Sequence, residues 1–299
     1  MRDFPTCLGE NGVQVGNGSC SSVNRVSQNT VICVYTCKLL DLSCLITITW
    51  SKNLMGQCHS VEISDLSGQS LSKFVLKPTL FSKRKGFKSL DILNSVKIGL
   101  FWDLSSAHFG SGPEPLEGFY LALVCDNEMV LLIGDMKKEA FRKTSSTPSI
   151  KNATFISKRE HMFGKRLFGT RVQFHDDGPV HELTIECDTA HDFRLVVSLD
   201  SKIAMLVKRI QWKFRGNHTI WVDGAAVEVF WDIHNWLFGT AFGDAVFVFQ
   251  TSTPTTTEKT LVGRRAFSGP CVPQWPDCFE DSKTTGLGFS LILCVCKHD

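Results

Sequence analysis

Two ten-residue stretches carry the side chains that could do chemistry. Phe101 to Gly110 reads FWDLSSAHFG and Phe230 to Gly239 reads FWDIHNWLFG, so Phe-Trp-Asp, an aliphatic residue and a closing Phe-Gly recur at one spacing. A carboxylate and a histidine within ten residues are the types used in general acid–base catalysis. Paired on a pseudo-twofold axis, Asp103 and Asp232 would form the dyad of an aspartic protease, two carboxylates sharing one proton. That chemistry requires Asp-Thr/Ser-Gly in both halves, and the nearest match, Asp188-Thr189-Ala190, lacks the glycine and has no counterpart. His108 aligns with Leu237, so no base is shared by the two stretches. The pattern fits a corner instead. Alternation sets Phe101 and Asp103 on one face of a strand and Trp102 on the other. A strand-ending Asp bonds to backbone N–H groups of the turn that follows, which Gly110 or Gly239 closes.

Other constellations are sparse. There is no Gly-x-Ser-x-Gly elbow, no phosphate-binding Gly-x-x-x-x-Gly-Lys-Ser/Thr loop and no Gly-x-Gly-x-x-Gly, which leaves hydrolase, nucleotide-binding and dinucleotide-binding readings without support. His175 and His181 flank a turn and His191 follows, an arrangement better read as surface turn than as zinc site. The 12 cysteines include no Cys-x-x-Cys; Cys33-to-Cys37 and Cys294-Val295-Cys296 lack companion ligands at zinc-finger distance. Cys33, Cys37, Cys44, Cys125 and Cys187 lie in apolar segments and read as buried free thiols. No catalytic, cofactor-binding or metal-ligating residue is assigned.

A net charge of +2 gives no strong field for nucleic acid or anionic lipid. Basic surface is local: Lys83-Arg84-Lys85 with Lys88, Lys158-Arg159 with Lys165-Arg166, and Lys208-Arg209 with Lys213 and Arg215. In RIQWKFRG, Arg209 to Gly216, alternation predicts a half-buried strand with a solvated basic face, docking of an acidic protein, an anionic lipid head group or RNA being the lesser reading. The start MRDFPTCLGENG resembles neither a secretory signal nor a myristoylation site. Leu287 to Cys296 is too short to span a bilayer as a helix and reads as a terminal strand, with thioacylation of Cys294 or Cys296 as the lesser reading. These features point to the cytoplasm or nucleus and to reduced thiols.

The elements that must position these residues are strands. Cys44 to Trp50, Ser60 to Asp65, Val96 to Asp103, Phe119 to Asp135, Leu183 to Asp188 and Arg194 to Asp200 alternate at period two and are rich in β-branched and aromatic residues. Asp126-Asn127 and Asp176 to Pro179 supply hairpin turns. The one helical signal is Asp135 to Thr144. The fold class is therefore all-β. Similarity between the two stretches extends upstream, with LITITW and SVEISD matched by ELTIEC and LVVSLD, which predicts an internal duplication: two antiparallel β units, sandwich or barrel, with one short helix between them. The expected layout is a flexible segment at 1–28, a first unit at 29–135, helix and linker at 136–168, a second unit at 169–250, and 251–299 as linker plus a strand returning to the sheet. The linker motifs Thr147-Pro148 and Thr253-Pro254 are candidate phosphorylation sites.

MRDFPTCLGENGVQV, WSKNLMGQ, HFGSGPEPLEGFYLALV, QWKFRGN and FWDIHNWLFG resemble, over nearly the whole chain, a plant family labelled domain of unknown function 868. The resemblance implies an intracellular plant protein and transfers no reaction, ligand or catalytic residue. The leading functional expectation is a non-enzymatic binding or protein-interaction module. The runner-up is a carrier of an apolar or lipid-like ligand in a β-barrel cavity, and an enzyme without recognisable motifs ranks below both.

Overall fold

The structure, a computed structural model, describes residues 29–39, 42–53, 55–77, 84–92, 96–110, 112–148, 153–164, 166–175, 178–189, 192–239, 243–252 and 287–297. The expected segment 1–28, Lys83, Lys165, His191, Asp176-Asp177 and the motif Thr253-Pro254 lie outside it. The protein is all-β, with multiple antiparallel sheets and two short helices. Four strands run first as a meander, β1 (Asn29–Leu39), β2 (Leu42–Asn53), β3 (Gly56–Asp65) and β4 (Ser70–Leu76). Then come β5 (Lys85–Ile92), β6 (Val96–Asp103), the small β7 (His108–Phe109) and β8 (Pro115–Glu117) pair, β9 (Tyr120–Cys125) and β10 (Glu128–Ile133). Helix α1 (Lys137–Thr144) and β11 (Thr147–Pro148) follow. After β12 (Thr154–Gly164) a second meander runs through β13 (Leu167–Val172), β14 (His181–Asp188), β15 (Arg194–Leu199) and β16 (Lys202–Lys208). The chain ends with β17 (Arg215–Val222), β18 (Ala225–Asp232), helix α2 (His234–Phe238), β19 (Asp244–Ser252) and β20 (Leu287–Lys297).

One nine-stranded sheet, ordered β17-β18-β19-β20-β12-β1-β2-β3-β4, runs through the molecule. Its β1-to-β3 portion packs Ile46, Ile48, Trp50, Val61 and Ile63 against Leu90, Ile98, Leu100, Trp102 and Leu121 of the five-stranded sheet β11-β10-β9-β6-β5. Its β17-to-β20 portion packs Ile220, Val229, Phe247 and Leu291 against Leu183, Ile185, Leu195 and Val197 of the four-stranded sheet β13-β14-β15-β16. These are two sandwiches sharing a layer. Among the described residues no sheet closes into a barrel. The expected buried thiols Cys33, Cys37, Cys44, Cys125 and Cys187 are all buried and unbonded; burial, ahead of the Cys44 and Cys125 sulfurs, pushes the Cys37 thiol up to about 12.

Several expectations are corrected. Residues 154–164, assigned to linker, form the central strand β12, paired antiparallel to β1 and parallel to β20. Its inward face is charged, so it lacks the apolar alternation of a core strand. Thr147-Pro148 is part of the sheet, aligned with Glu128 and Met129 of β10. The basic stretch starting at Arg209 is a turn until β17 begins at Arg215: Arg209 adopts φ 59° and its carbonyl accepts the Trp212 and Lys213 N–H groups at 3.0 and 3.2 Å. A second helix, α2, replaces the plain turn expected after Asp232. The Asp126-Asn127 hairpin and the terminal strand β20 are where they were expected.

His59 of β3 is a buried polar exception in the first core. Its ring tilts against Trp50 at 5.4 Å and its Nε2 has no hydrogen-bond partner. Burial lowers its pKa to about 4. In the unfolded chain this histidine titrates near its ordinary value, so as pH falls from about 6.5 to about 4 only the unfolded state takes up the proton, and stability falls by about 3 kcal/mol. Urea unfolding at pH 7 and pH 4 should show this loss, and the His59→Leu variant should lose less by about that amount.

Candidate functional site

The two Phe-Trp-Asp stretches build equivalent corners. β5 and β6 pair with Lys85 opposite Asp103, Gly86 opposite Trp102 and Phe87 opposite Phe101. β17 and β18 pair in the same register, with Arg215 opposite Asp232, Gly216 opposite Trp231 and Asn217 opposite Phe230. In each, the indole lies over the cross-strand glycine, where a Cβ would strike it. The Leu104 N–H donates to the Arg84 carbonyl at 2.7 Å and the Ile233 N–H to the Phe214 carbonyl at 2.9 Å.

Both aspartates serve their own turns. Asp103 Oδ1 accepts the Ser105 N–H at 2.9 Å and the Ser105 hydroxyl. Asp232 Oδ1 accepts the His234 N–H at 3.0 Å, and its Oδ2 accepts the Arg215 Nε at 2.8 Å. They stand in different sheets, each bonded within its own corner. Because these donors sit at partly exposed turns, Asp103→Ala and Asp232→Ala should each cost about 1 kcal/mol, as loss of a helix cap does; urea unfolding midpoints measure it. His108, exposed, faces Glu117 at 3.8 Å on the β7–β8 hairpin.

The second corner carries an exposed aromatic and cationic surface. Trp212 is 79% exposed and Phe238, at the end of α2, 56%. Phe238 packs with Phe214 and His234, ring centroids 5.2 to 5.8 Å apart, Phe214 meeting each of the other two edge to face, and the Arg215 guanidinium lies 5.9 Å from the Phe214 ring. Arg209, Lys213 and Arg215 are exposed around it. Trp231 fixes the surface from below, donating its indole N–H to the Lys213 carbonyl at 2.9 Å, and Ile210 anchors the turn in the core. Of the corresponding basic stretch of the first half Lys83 lies outside the described residues, and Arg84, Lys85 and Lys88 are exposed.

The other sequence candidates are not brought together. Lys158 points inward, Nζ 3.1 Å from Glu114 and 2.7 Å from Glu160, beside Cys33, whose thiol contacts Glu114. Burial lowers the Lys158 pKa, but Glu114 and Glu160 outweigh it and hold the ammonium above the ordinary lysine range. Burial, reinforced by Glu114, raises the Cys33 thiol, so it is no nucleophile. Arg166 pairs with Glu186 and Asp188. His181 is held by Asp200 at 2.7 Å and Asp223 at 2.8 Å, first Asp200 and then Asp223 raising its pKa, and it joins the tips of the β15–β16 and β17–β18 hairpins. His175 lines a small cleft of about 30 Å³ with Phe155, Gln173, Phe174 and Phe289. Among the described residues no group of three or more His, Cys, Asp or Glu is placed to hold a metal. No described helix is long and apolar enough to cross a membrane. The sequence missed the His181 clamp, whose only signal was an Asp at each of two hairpin tips.

Neither the curated proteins nor the solved structures contain a match to this chain. A family model described as plant protein of unknown function, DUF868, matches residues 26–297, spanning both sandwiches and the corners just described, and the chain therefore belongs to that plant family.

Proposed function

We propose that this protein is a non-enzymatic, intracellular protein-interaction module, built from two copies of one β unit and carrying its docking surface at the second corner. The observation that carries the reading is the exposure of Trp212 and Phe238 beside Arg209, Lys213 and Arg215 on a turn anchored by Ile210 and Trp231. Tryptophan and arginine on a rigid support are the residues that dominate protein–protein binding energies. The matched registers of β5–β6 and β17–β18, and the repeated order of a four-strand meander followed by a hairpin, support the duplication. The carrier reading loses its main support, because the sheets pack apolar faces against each other and the cleft at His175, about 30 Å³, is far below the roughly 300 Å³ at which ligand pockets begin. Native mass spectrometry of the chain recovered from plant tissue tests the proposal. Protein-sized adducts that disappear when Trp212→Ser and Phe238→Ser are combined are expected. A small-molecule adduct retained by that variant would transfer the protein to the carrier class.

A further inference from the structure

We infer that the open edge of β17 is a strand-addition site for an extended acidic segment of a partner protein; the inference rests on the interaction-module reading and names the chemistry of the partner. Among the described residues β17 is the end strand of the nine-stranded sheet, as β5 is of the five-stranded one, and the shared register makes the two edges comparable residue by residue. Exposed end strands invite pairing with other chains, and charged side chains normally block it. On β5 the blocking residues are Lys88 and Asp91. The equivalent positions of β17 hold His218 and Trp221, and Trp221 is 73% exposed.

The backbone of β17 is oriented for pairing. The Ile233 N–H bonds to the Phe214 carbonyl, and the two-residue turn Asp223-Gly224, with φ of 51° and 80°, closes on the Val222–Ala225 pair. In an antiparallel pair the bonded positions alternate. Phe214, Gly216, His218, Ile220 and Val222 therefore bond to β18, and Arg215, Asn217, Thr219 and Trp221 direct their N–H and C=O groups to the open side. Those four residues are exposed. An added strand would satisfy these groups and cover Trp221, with pockets for alternate side chains setting its identity.

Charge selects the segment. Residues 208–218 contain Lys208, Arg209, Lys213 and Arg215 and no acid, with Arg215 paired to Asp232 across the hairpin. The cations lie at the Arg215 end of β17 and Trp221 at its other end on the same face, so the incoming strand carries carboxylates in one half and apolar residues in the other. Single-stranded RNA also uses cations and stacking aromatics, but Phe214, His234 and Phe238 pack on one another, and Trp212 and Trp221 stand on the turn and at the far end of β17 rather than as a series of adjacent platforms.

The test uses a fluorophore-labelled eight-residue peptide of four Glu followed by four Val, with Lys–Val and Glu–Pro peptides of the same layout as controls. Saturable binding of Glu–Val alone is expected in fluorescence anisotropy, with amide exchange slowed at Asn217, Thr219 and Trp221. Trp221→Asp, which restores the residue type of Asp91, should weaken binding at least tenfold. Thr219→Pro should do the same while keeping the fold, since an edge position with an outward N–H tolerates proline. Absence of saturable binding, equal binding of either control, or binding unchanged in Trp221→Asp would overturn the inference. So would displacement of the peptide by an RNA oligonucleotide, or a concentration-dependent dimer in sedimentation that Trp221→Asp abolishes, which would make a second copy the occupant. If the peptide fails while the Trp212 and Phe238 substitutions still remove protein adducts, edge addition falls and the module reading stands.

Discussion

Lys158→Met is expected to lower the stability of the protein by about 3–5 kcal/mol, the cost of stranding a buried carboxylate. The Lys158 side chain is 12% exposed and that of Glu160 8%, and their contact is 2.7 Å. Glu160 also accepts the Thr170 hydroxyl at 2.6 Å, while Glu114 reaches the same ammonium at 3.1 Å from the loop before β8. The cluster thus joins the loop of the first half, the shared strand β12 and β13 of the second half. Burying these charges was already costly, so replacing Lys158 and Glu160 together by Met and Leu should recover most of the loss, whereas removing the cation alone should not. Urea unfolding of the single and double variants decides it. A single variant with an unchanged midpoint would show that the cluster is hydrated and carries no structural role.

Trp102→Ala and Trp231→Ala should each cost about 3–5 kcal/mol, because each removes a large buried ring from a packed core. Both indoles are buried, Trp102 against Phe74 at 4.9 Å and Trp231 with its N–H on Lys213. The cross-strand glycines give the same interaction from the other side. Gly86→Ala and Gly216→Ala place a methyl against the indole and should cost about 1–3 kcal/mol by overpacking. The equivalence of the two registers predicts like effects in both halves. Because β17 and β18 belong to the nine-stranded sheet, Trp231→Ala should also free the Lys213 turn and weaken whatever binds at Trp212. Thermal denaturation and hydrogen exchange of the 209–215 turn measure the two consequences. A Trp231→Ala protein with wild-type stability would remove the corner from the core.

What the sequence shows and hides follows from which side chains carry a periodic signal. β2, β3, β6, β14 and β15 place apolar residues inward at every second position, while β9 is a continuous apolar run buried on both faces, and each was legible as a strand. β12 was not, because Lys158 and Glu160 occupy inward positions on it and satisfy each other rather than an apolar layer. The opposite error arose at 209–215, where Ile210, Trp212 and Phe214 alternate like a strand while the Arg209 backbone turns left-handed. One of the three, Ile210, is fully buried, and Trp212 is free. Helix α2 is only five residues long, below the length at which a 3.6-residue period can be read. The corner was legible as a corner because its aspartate and tryptophan recur, although Gly86 and Gly216, not Gly110 and Gly239, are the glycines that build it; its exposed aromatic surface was not legible, since exposure of an aromatic residue depends on the turn that carries it.

Asparagine at the two aspartate positions separates a corner from a chemical site. An Asn side-chain oxygen still accepts the backbone N–H of Ser105 or His234, but it has no charge and no proton to exchange at neutral pH. Urea unfolding of Asp103→Asn and Asp232→Asn beside the two alanine variants is therefore the most direct measurement. The predicted result is near-wild-type stability for both asparagine variants and a loss of about 1 kcal/mol for both alanine variants. Alanine variants as stable as the parent, or more stable, in both halves would contradict it, since strained functional groups are the ones whose removal stabilises a fold.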